Sequence, residues 1–272
     1  MVCKTFAPSP SLAGIVQKIW VLESGEADNS VKIFNPVSTG CPGIIFQQTE
    51  RGMSCNGGIT QLPVVFAYGQ TVAPPKIEAS GKLQAIGIYF YPHALNSVFG
   101  FNAHELTNSY ADLNHILLEN DSFLNEKLVN ENSINEKIQL LSSCILKNQK
   151  KNNNNEDKLI KYCQQIITNS CGDASLKELH CYTQLSERSF ERRFKAVVGI
   201  SPNLFSRICR FQASLEQMRK ATYKNISDIA YKYGYSDQSH FTRAFKEFTG
   251  FIPYKFMKHN NEIVENLPLM AN

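Results

Sequence analysis

Two stretches in the C-terminal part of this chain repeat each other, and the repeat limits the fold more than any other feature. At a shift of 50 residues Leu176, Leu179 and Ser186 fall on Ile226, Ile229 and Ser236. At 51, Phe190, Arg192, Phe194, Lys195, Gly199, Pro202 and Phe205 fall on Phe241, Arg243, Phe245, Lys246, Gly250, Pro253 and Phe256. Apolar, cationic, glycine and proline positions kept in one order imply one supersecondary unit built twice.

Each copy reads as helix, turn, helix. Ser175 with Glu178, and Asn225 with Asp228, have the spacing of capping boxes that open a short first helix. The turns fall at 182–185 and 233–235, and a second helix starts at the caps Ser186 and Asp237. At about 100° per residue, Phe190, Phe194 and Val197 form one stripe, as do Phe241, Phe245 and Phe248. These stripes read as core, because burying each ring stabilises by about 1.5–3 kcal/mol.

The opposite faces carry Arg188, Glu191, Arg192 and Lys195 in the first copy, and Ser239, Thr242, Arg243 and Lys246 in the second. An α-helix fits the DNA major groove, where Arg bridges guanine, Gln adenine, Glu accepts from cytosine and Thr touches the thymine methyl. Lys195 and Lys246 lie a turn further on, where a flexible cation meets phosphate. Between the copies, Ser201-Pro202 opens a helix that can run to Lys220. Such a rod, nearly 30 Å at about 1.5 Å per residue, would separate two reading helices for successive groove segments about 34 Å apart.

Charge follows the same division. Residues 156–258 hold 17 Lys plus Arg against 10 Asp plus Glu, whereas residues 1–155 hold 11 against 12. Only the C-terminal part is built to meet a polyanion. Upstream, short β-favouring runs at 15–22, 32–34, 43–47, 64–68 and 83–90 are punctuated by Gly and Pro. From His93 the pattern turns helical, with segments expected at 94–99, 103–118, 121–129 and 132–147. In the last, Ile134, Ile138, Leu141 and Ile145 form one apolar stripe that either packs on the β domain or pairs with a second copy.

The fold class is therefore α+β. A β-rich N-terminal domain with flanking helices, cupin-like among the architectures open to it, precedes an all-α domain of two helix-turn-helix units joined by a long helix. The expected boundaries are 1–147 for a sensing or dimerisation domain, β-rich to about 90 and helical after. A polar linker at 148–157, a DNA-binding domain at 158–258 and a tail at 259–272 follow.

The eight cysteines lack paired C-x-x-C spacing and read as reduced thiols. His93, His104 and His115 recur every 11 residues, but on a helix neighbours would stand about 16 Å apart and could not share a metal. Cys171, His180 and Cys181 do not follow zinc-finger spacing. No cofactor or metal is expected, and no export or membrane span, which points to the cytoplasm. Trp20, Tyr89 and Tyr91 are either core or the lining of a ligand pocket. A reading from another class is a DNA-modifying enzyme with a reactive Cys41 or Cys55, yet no Cys-His arrangement activates either in the sequence.

The run from Asp228 to Pro253, DIAYKYGYSDQSHFTRAFKEFTGFIP, resembles the signature of the AraC/XylS family of transcription regulators. The resemblance covers about 156–258 and implies seven helices, two of them recognition helices, and sequence-specific control of transcription. By position it places base contacts on Arg188, Glu191 and Arg192, then on Gln238, Ser239 and Arg243. The partners implied are double-stranded DNA, a small-molecule effector, a second copy of the chain and RNA polymerase. The first copy departs from the pattern where Gln184 replaces the turn glycine seen as Gly234, and His180 the small residue seen as Ala230. Residues 1 to about 120 resemble more loosely the N-terminal domain of one AraC-type subgroup, through Leu12, Val16 and Trp20 and the Phe99-Gly100 and Glu105-Leu106 pairs. That likeness implies sensing or dimerisation.

Overall fold

Strands buried on both faces lose the polar alternation of a surface strand, and the central strands of the N-terminal half do so. The computed structural model describes residues 1–25, 30–55, 57–117, 123–152, 156–220, 223 and 225–258; the tail expected at 259–272 lies outside them. Ten strands are described: β1 Val2–Phe6, β2 Val16–Glu23, β3 Val31–Phe34, β4 Gly43–Thr49, β5 Met53–Cys55, β6 Thr60–Gln61, β7 Val65–Tyr68, β8 Ile77–Ser80, β9 Leu83–Phe90 and β10 Tyr110–Asp112. They form two antiparallel sheets, ordered β1-β2-β9-β4-β7-β10 and β3-β8-β5-β6. The orders β2-β9-β4-β7 and β3-β8-β5-β6 are those of an eight-stranded jelly roll, the architecture of cupins.

The period of two sorts the larger sheet's side chains into two cores. Trp20 and Leu22, Ile45, Phe66, Ala85 and Tyr89 face the smaller sheet and meet Phe34, Met53, Ile77 and Ala79. Ile19 and Val21, Ile44 and Phe46, Ile86, Ile88 and Phe90 face the other way, onto helices. Gly87 pairs with Trp20 across β2 and β9, and a Cβ there would stand 2.0 Å from the indole. The ring therefore lies flat over a position that only glycine leaves open.

Helices α1 Ala94–Phe99, α2 Leu113–Ile116, α3 Leu124–Asn130 and α4 Ile134–Lys151 cover that second face. Leu141 and Ile145 are fully buried in its core, with Ile134 and Ile138 packed against it. The stripe of α4 is thus spent within the chain rather than on a second copy. Two expectations are corrected here. Residues 103–118 are not one helix: a 3-10 turn at Ala103–Leu106 ends where Asn108 turns left-handed at φ 55°, and β10 and α2 follow. The linker expected at 148–157 begins as helix, because α4 continues to Lys151. Its Asn148 is buried on the Cys144 carbonyl, and Asn152 bonds the Val98 carbonyl.

The C-terminal half holds seven helices among the described residues: α5 Lys158–Asn169, α6 Leu176–Thr183, α7 Glu187–Val198, α8 Pro202–Arg219, α9 Ile226–Lys232, α10 Gln238–Thr249 and α11 Pro253–Lys258. Ser201 caps α8 with Pro202 at its first turn, and its 18 residues make a rod of about 27 Å. Phe205, Ile208, Phe211, Leu215 and Met218 run along its buried side and join both repeats into one core. Val37, from the loop between β3 and β4, is buried in that same helical core, so the two halves are packed together.

Candidate nucleic-acid interface

Both copies position their second helix by the same devices. Ser175 Oγ accepts from Glu178 N at 3.3 Å to open α6, and the Asp228 carboxylate accepts from Asn225 N at 3.0 Å to open α9. Each turn passes through one left-handed residue, Gln184 at φ 55° and Gly234 at φ 69°. Ser186 Oγ then accepts from Ser189 N at 3.3 Å, and Asp237 Oδ1 from His240 N at 2.7 Å. The second turn holds one more residue between its left-handed position and its cap, which is why the repeat shifts from 50 to 51. Backbone N–H donation from His240 holds the Asp237 carboxyl below its usual range, as an ionised cap requires.

The aromatic stripes are core, as their spacing predicts. Phe190 is 3% exposed and Phe194, Phe241, Phe245 and Phe248 are 0% exposed. They meet edge to face, with centroids 5.9 Å apart for Phe190 and Phe194 and 5.7 Å for Phe241 and Phe245. This anchorage turns the other face of each helix to solvent. Arg188, Glu191 and Arg192 on α7 are exposed, as are Gln238, Ser239, Arg243 and Lys246 on α10, while Thr242 and Lys195 are half-buried. Arg188, Arg192, Arg243 and Lys246 form no ion pair among the described residues, so their charge is available to a ligand.

Three of the expected contact residues are engaged with protein. Glu191 and Lys195 pair at 3.1 Å along α7, and Gln238 accepts from Ser227 Oγ at 2.9 Å. Both bonds are exposed and exchangeable, and the first is worth about 0.3–0.5 kcal/mol. Arginines that the sequence reading passed over turn out to be braces. Arg193 grips Asp157, the cap of α5, at 2.8 Å, and Arg210 bonds the carbonyls of Gly234 and Gly172, both at 3.3 Å. Arg193 lies one position past Arg192, which turns it by about 100° from the solvent face toward the bundle.

Other candidate residues lie elsewhere. His93 sits 3.0 Å from Gln164 Oε1, His104 Nδ1 2.8 Å from the Gly199 carbonyl, and His115 on α2, so the three share no helix. No group of three His, Cys, Asp or Glu suited to a metal occurs among the described residues. Cys41 is buried, its thiol donates to Gln17 Oε1 at 3.0 Å, and burial pushes its pKa up, the reverse of what a nucleophile needs. No helix among the described residues is long and apolar enough to cross a membrane.

Against this geometry, two family matches divide the chain. Residues 181–259 match a family described as a helix-turn-helix domain, and residues 4–112 match a domain of unknown function. An uncharacterized HTH-type transcriptional regulator of Staphylococcus aureus (strain COL) is 30% identical over 112 residues, 41% of this chain. The chain covers 15% of that protein's length. The HTH-type transcriptional regulator MtrA of Neisseria gonorrhoeae is 25% identical over 99 residues, 36% of this chain and 33% of MtrA. The crystal structure of ToxT from Vibrio cholerae O395 aligns over 88% of this chain and 95% of ToxT, with 14% identity and a TM-score of 0.46. Residues 181–259 are therefore a helix-turn-helix domain.

Proposed function

We propose that the chain is a sequence-specific transcription factor that lays α7 and α10 into two successive major-groove segments of double-stranded DNA. The observation that carries this is the pair of exposed cationic faces on matched helices, each held out by the same buried aromatic stripe. Arg188, Glu191 and Arg192 read bases from α7, and Gln238, Ser239, Thr242 and Arg243 from α10. Lys195 and Lys246 contact phosphate and set register rather than preference. The net positive charge of 156–258 supplies the salt-dependent part of the affinity.

The jelly-roll half (1–147) regulates the reader in response to a small effector, and RNA polymerase is a further partner at the promoter. A homodimer would use a surface other than the α4 stripe, which is buried in the chain's own core. This work belongs where the chromosome is, in the cytoplasm. The enzyme reading has no support in the site, since the Cys41 thiol is disfavoured as a thiolate.

Selection of the full chain from a random duplex library at controlled salt tests the reading. Enrichment of a motif with two blocks about 10 base pairs apart is expected. Binding without any motif would reduce the chain to a non-specific, charge-driven DNA binder.

A further inference from the structure

A cavity of about 210 Å³ lies between the two sheets of the jelly roll, among Ile45, Phe66, Ile77, Tyr68, Tyr89 and Tyr110. Interiors pack with few voids larger than a water, so a space of this size is a formed feature rather than slack. It exceeds the roughly 150 Å³ at which an apolar cavity takes up benzene. Ala73 and Ser109 at its rim are exposed, which gives access without unfolding. No Asp, Glu, Lys, Arg or His among the described residues lines it. Burial keeps the Tyr68 and Tyr89 phenols protonated, so they offer hydroxyl groups and no charge.

The wall on the side of the helical half is made by two segments that also hold the reading helices. The first supplies Val37 and Thr39 to the wall. Next to them Ser38 N donates to the Phe248 carbonyl of α10 at 3.1 Å, and Gln212 of α8 donates to the Ser38 carbonyl at 2.5 Å. The second segment supplies Asn108 and Tyr110. Just before them Thr107 Oγ1 donates to the Gly199 carbonyl at 2.6 Å, and His104 Nδ1 approaches it at 2.8 Å, at the C-terminal end of α7. The segments are cross-tied by Gln70, which donates to the Gly40 carbonyl, and by Asn108, whose side chain accepts from Val72 and Ala73 N.

We propose that this cavity binds an uncharged, largely apolar molecule about the size of a substituted benzene, and that its occupancy shifts the two segments gripping the ends of α7 and α10. The ligand class follows from the lining. An ion would lose its hydration with no opposite charge to meet it, whereas an apolar ring with one hydroxyl finds apolar walls and phenolic partners. The second clause rests on the functional reading above; the first does not.

Trp20 is the chain's only tryptophan, and its ring centroid is 6.4 Å from that of Tyr89 in the lining, so its emission reports on the cavity without DNA present. Titrating the full chain with benzyl alcohol, benzoate and benzylammonium should give a saturable change with the alcohol and affinities about tenfold weaker or worse for the two ions. Cys55→Phe, which fills the cavity from β5, should abolish the response. Ala73→Tyr at the exposed rim serves the same end should the first variant fail to melt cooperatively. Equal affinity for the three probes, or an unchanged response in a folded plugged variant, would overturn the site. With the selected DNA added, saturating benzyl alcohol should change its affinity about threefold or more in the unaltered chain. A Thr107→Val, Gln212→Ala chain should keep probe binding and lose that change. Probe binding with no effect on DNA affinity would overturn the coupling alone, and probe binding in a chain that selects no DNA motif would leave the cavity standing while sinking the reader.

Discussion

The two helix-turn-helix units share one template and meet its hardest requirement, a left-handed turn, differently. In the second, Gly234 takes φ 69° without a Cβ to clash, and Tyr235 N closes the end of α9 onto the Ala230 carbonyl at 2.9 Å. Ala230 is 0% exposed, and Arg210 bonds the Gly234 carbonyl from α8. In the first, Gln184 adopts φ 55° against its own side chain, and His180 packs on Phe190 with its Nε2 buried and unpartnered among the described residues. Both units are held from outside, the second through Arg210 and the Ser38 backbone and the first through a larger set of side chains. Asp157 clasps Arg193, while His104 and Thr107 clasp Gly199. The second helix of such a unit can thus lean more on a well-formed turn or more on its neighbours. The copy with the poorer turn is the one whose far end the jelly roll holds through two side chains.

Substitutions that treat the copies as equals break or sharpen this contrast. Phe194→Ala and Phe245→Ala remove matched, fully buried rings, and each should lower unfolding stability by about 3–5 kcal/mol in denaturant titration. A much smaller loss for either would show that its copy is not built on the shared core. Next in size, Arg192→Ala and Arg243→Ala should each cost about 1–3 kcal/mol on the selected site and relax preference at one position. A uniform loss across all sequences would reassign that arginine to phosphate.

Exchanging the turn residues probes the difference itself. Gly234→Gln should cost about 1–2 kcal/mol of stability, the strain of a left-handed residue with a side chain. Gln184→Gly should gain less, about 0.5 kcal/mol, because the larger unfolded entropy of glycine offsets part of the relief. Equal and opposite shifts would mean that the outside contacts do not matter to the first turn. Lys246→Ala should reduce the slope of log affinity against log salt by about 0.9 with sequence preference unchanged.

The smallest effect concerns pH, where the jelly roll meets α5. Burial lowers the His93 pKa from the usual 6.5, opposed by its bond to Gln164, with Lys161 lowering it further and Glu156 raising it. Between that depressed value and 6.5 the unfolded chain carries the proton and the folded chain does not. Stability therefore rises with pH through this window and falls on acidification below 6.5. His93→Gln should flatten that acid-side slope in melting curves taken across the window.

The helical half was legible because its period-3.6 stripes, caps and helix-ending glycines, Gly199 and Gly250, agree with one another and occur twice. In the β half the long runs at β2, β3, β4, β7 and β9 could be read within about two residues. Strands β1, β5, β6, β8 and β10 could not, being short or polar: Val2–Phe6 is an edge strand exposed along most of its length, and Ile77–Ser80 carries Glu78 and Ser80. Their pairing is decided by partners distant in sequence, as with Val31 opposite Ser80, which no local pattern records. The exposed candidate residues were legible as a helical face. The braces Arg193 and Arg210 were not, because a cation turned inward and one turned outward look alike until the bundle is closed.

The central claim, that α7 and α10 each read their own groove segment, is tested most directly by repeating the library selection with Arg192→Ala and Arg243→Ala in the full chain. The account predicts that each variant loses preference in a different block of the motif, with the blocks about 10 base pairs apart. Loss of preference in the same block for both variants, or in neither, would contradict it.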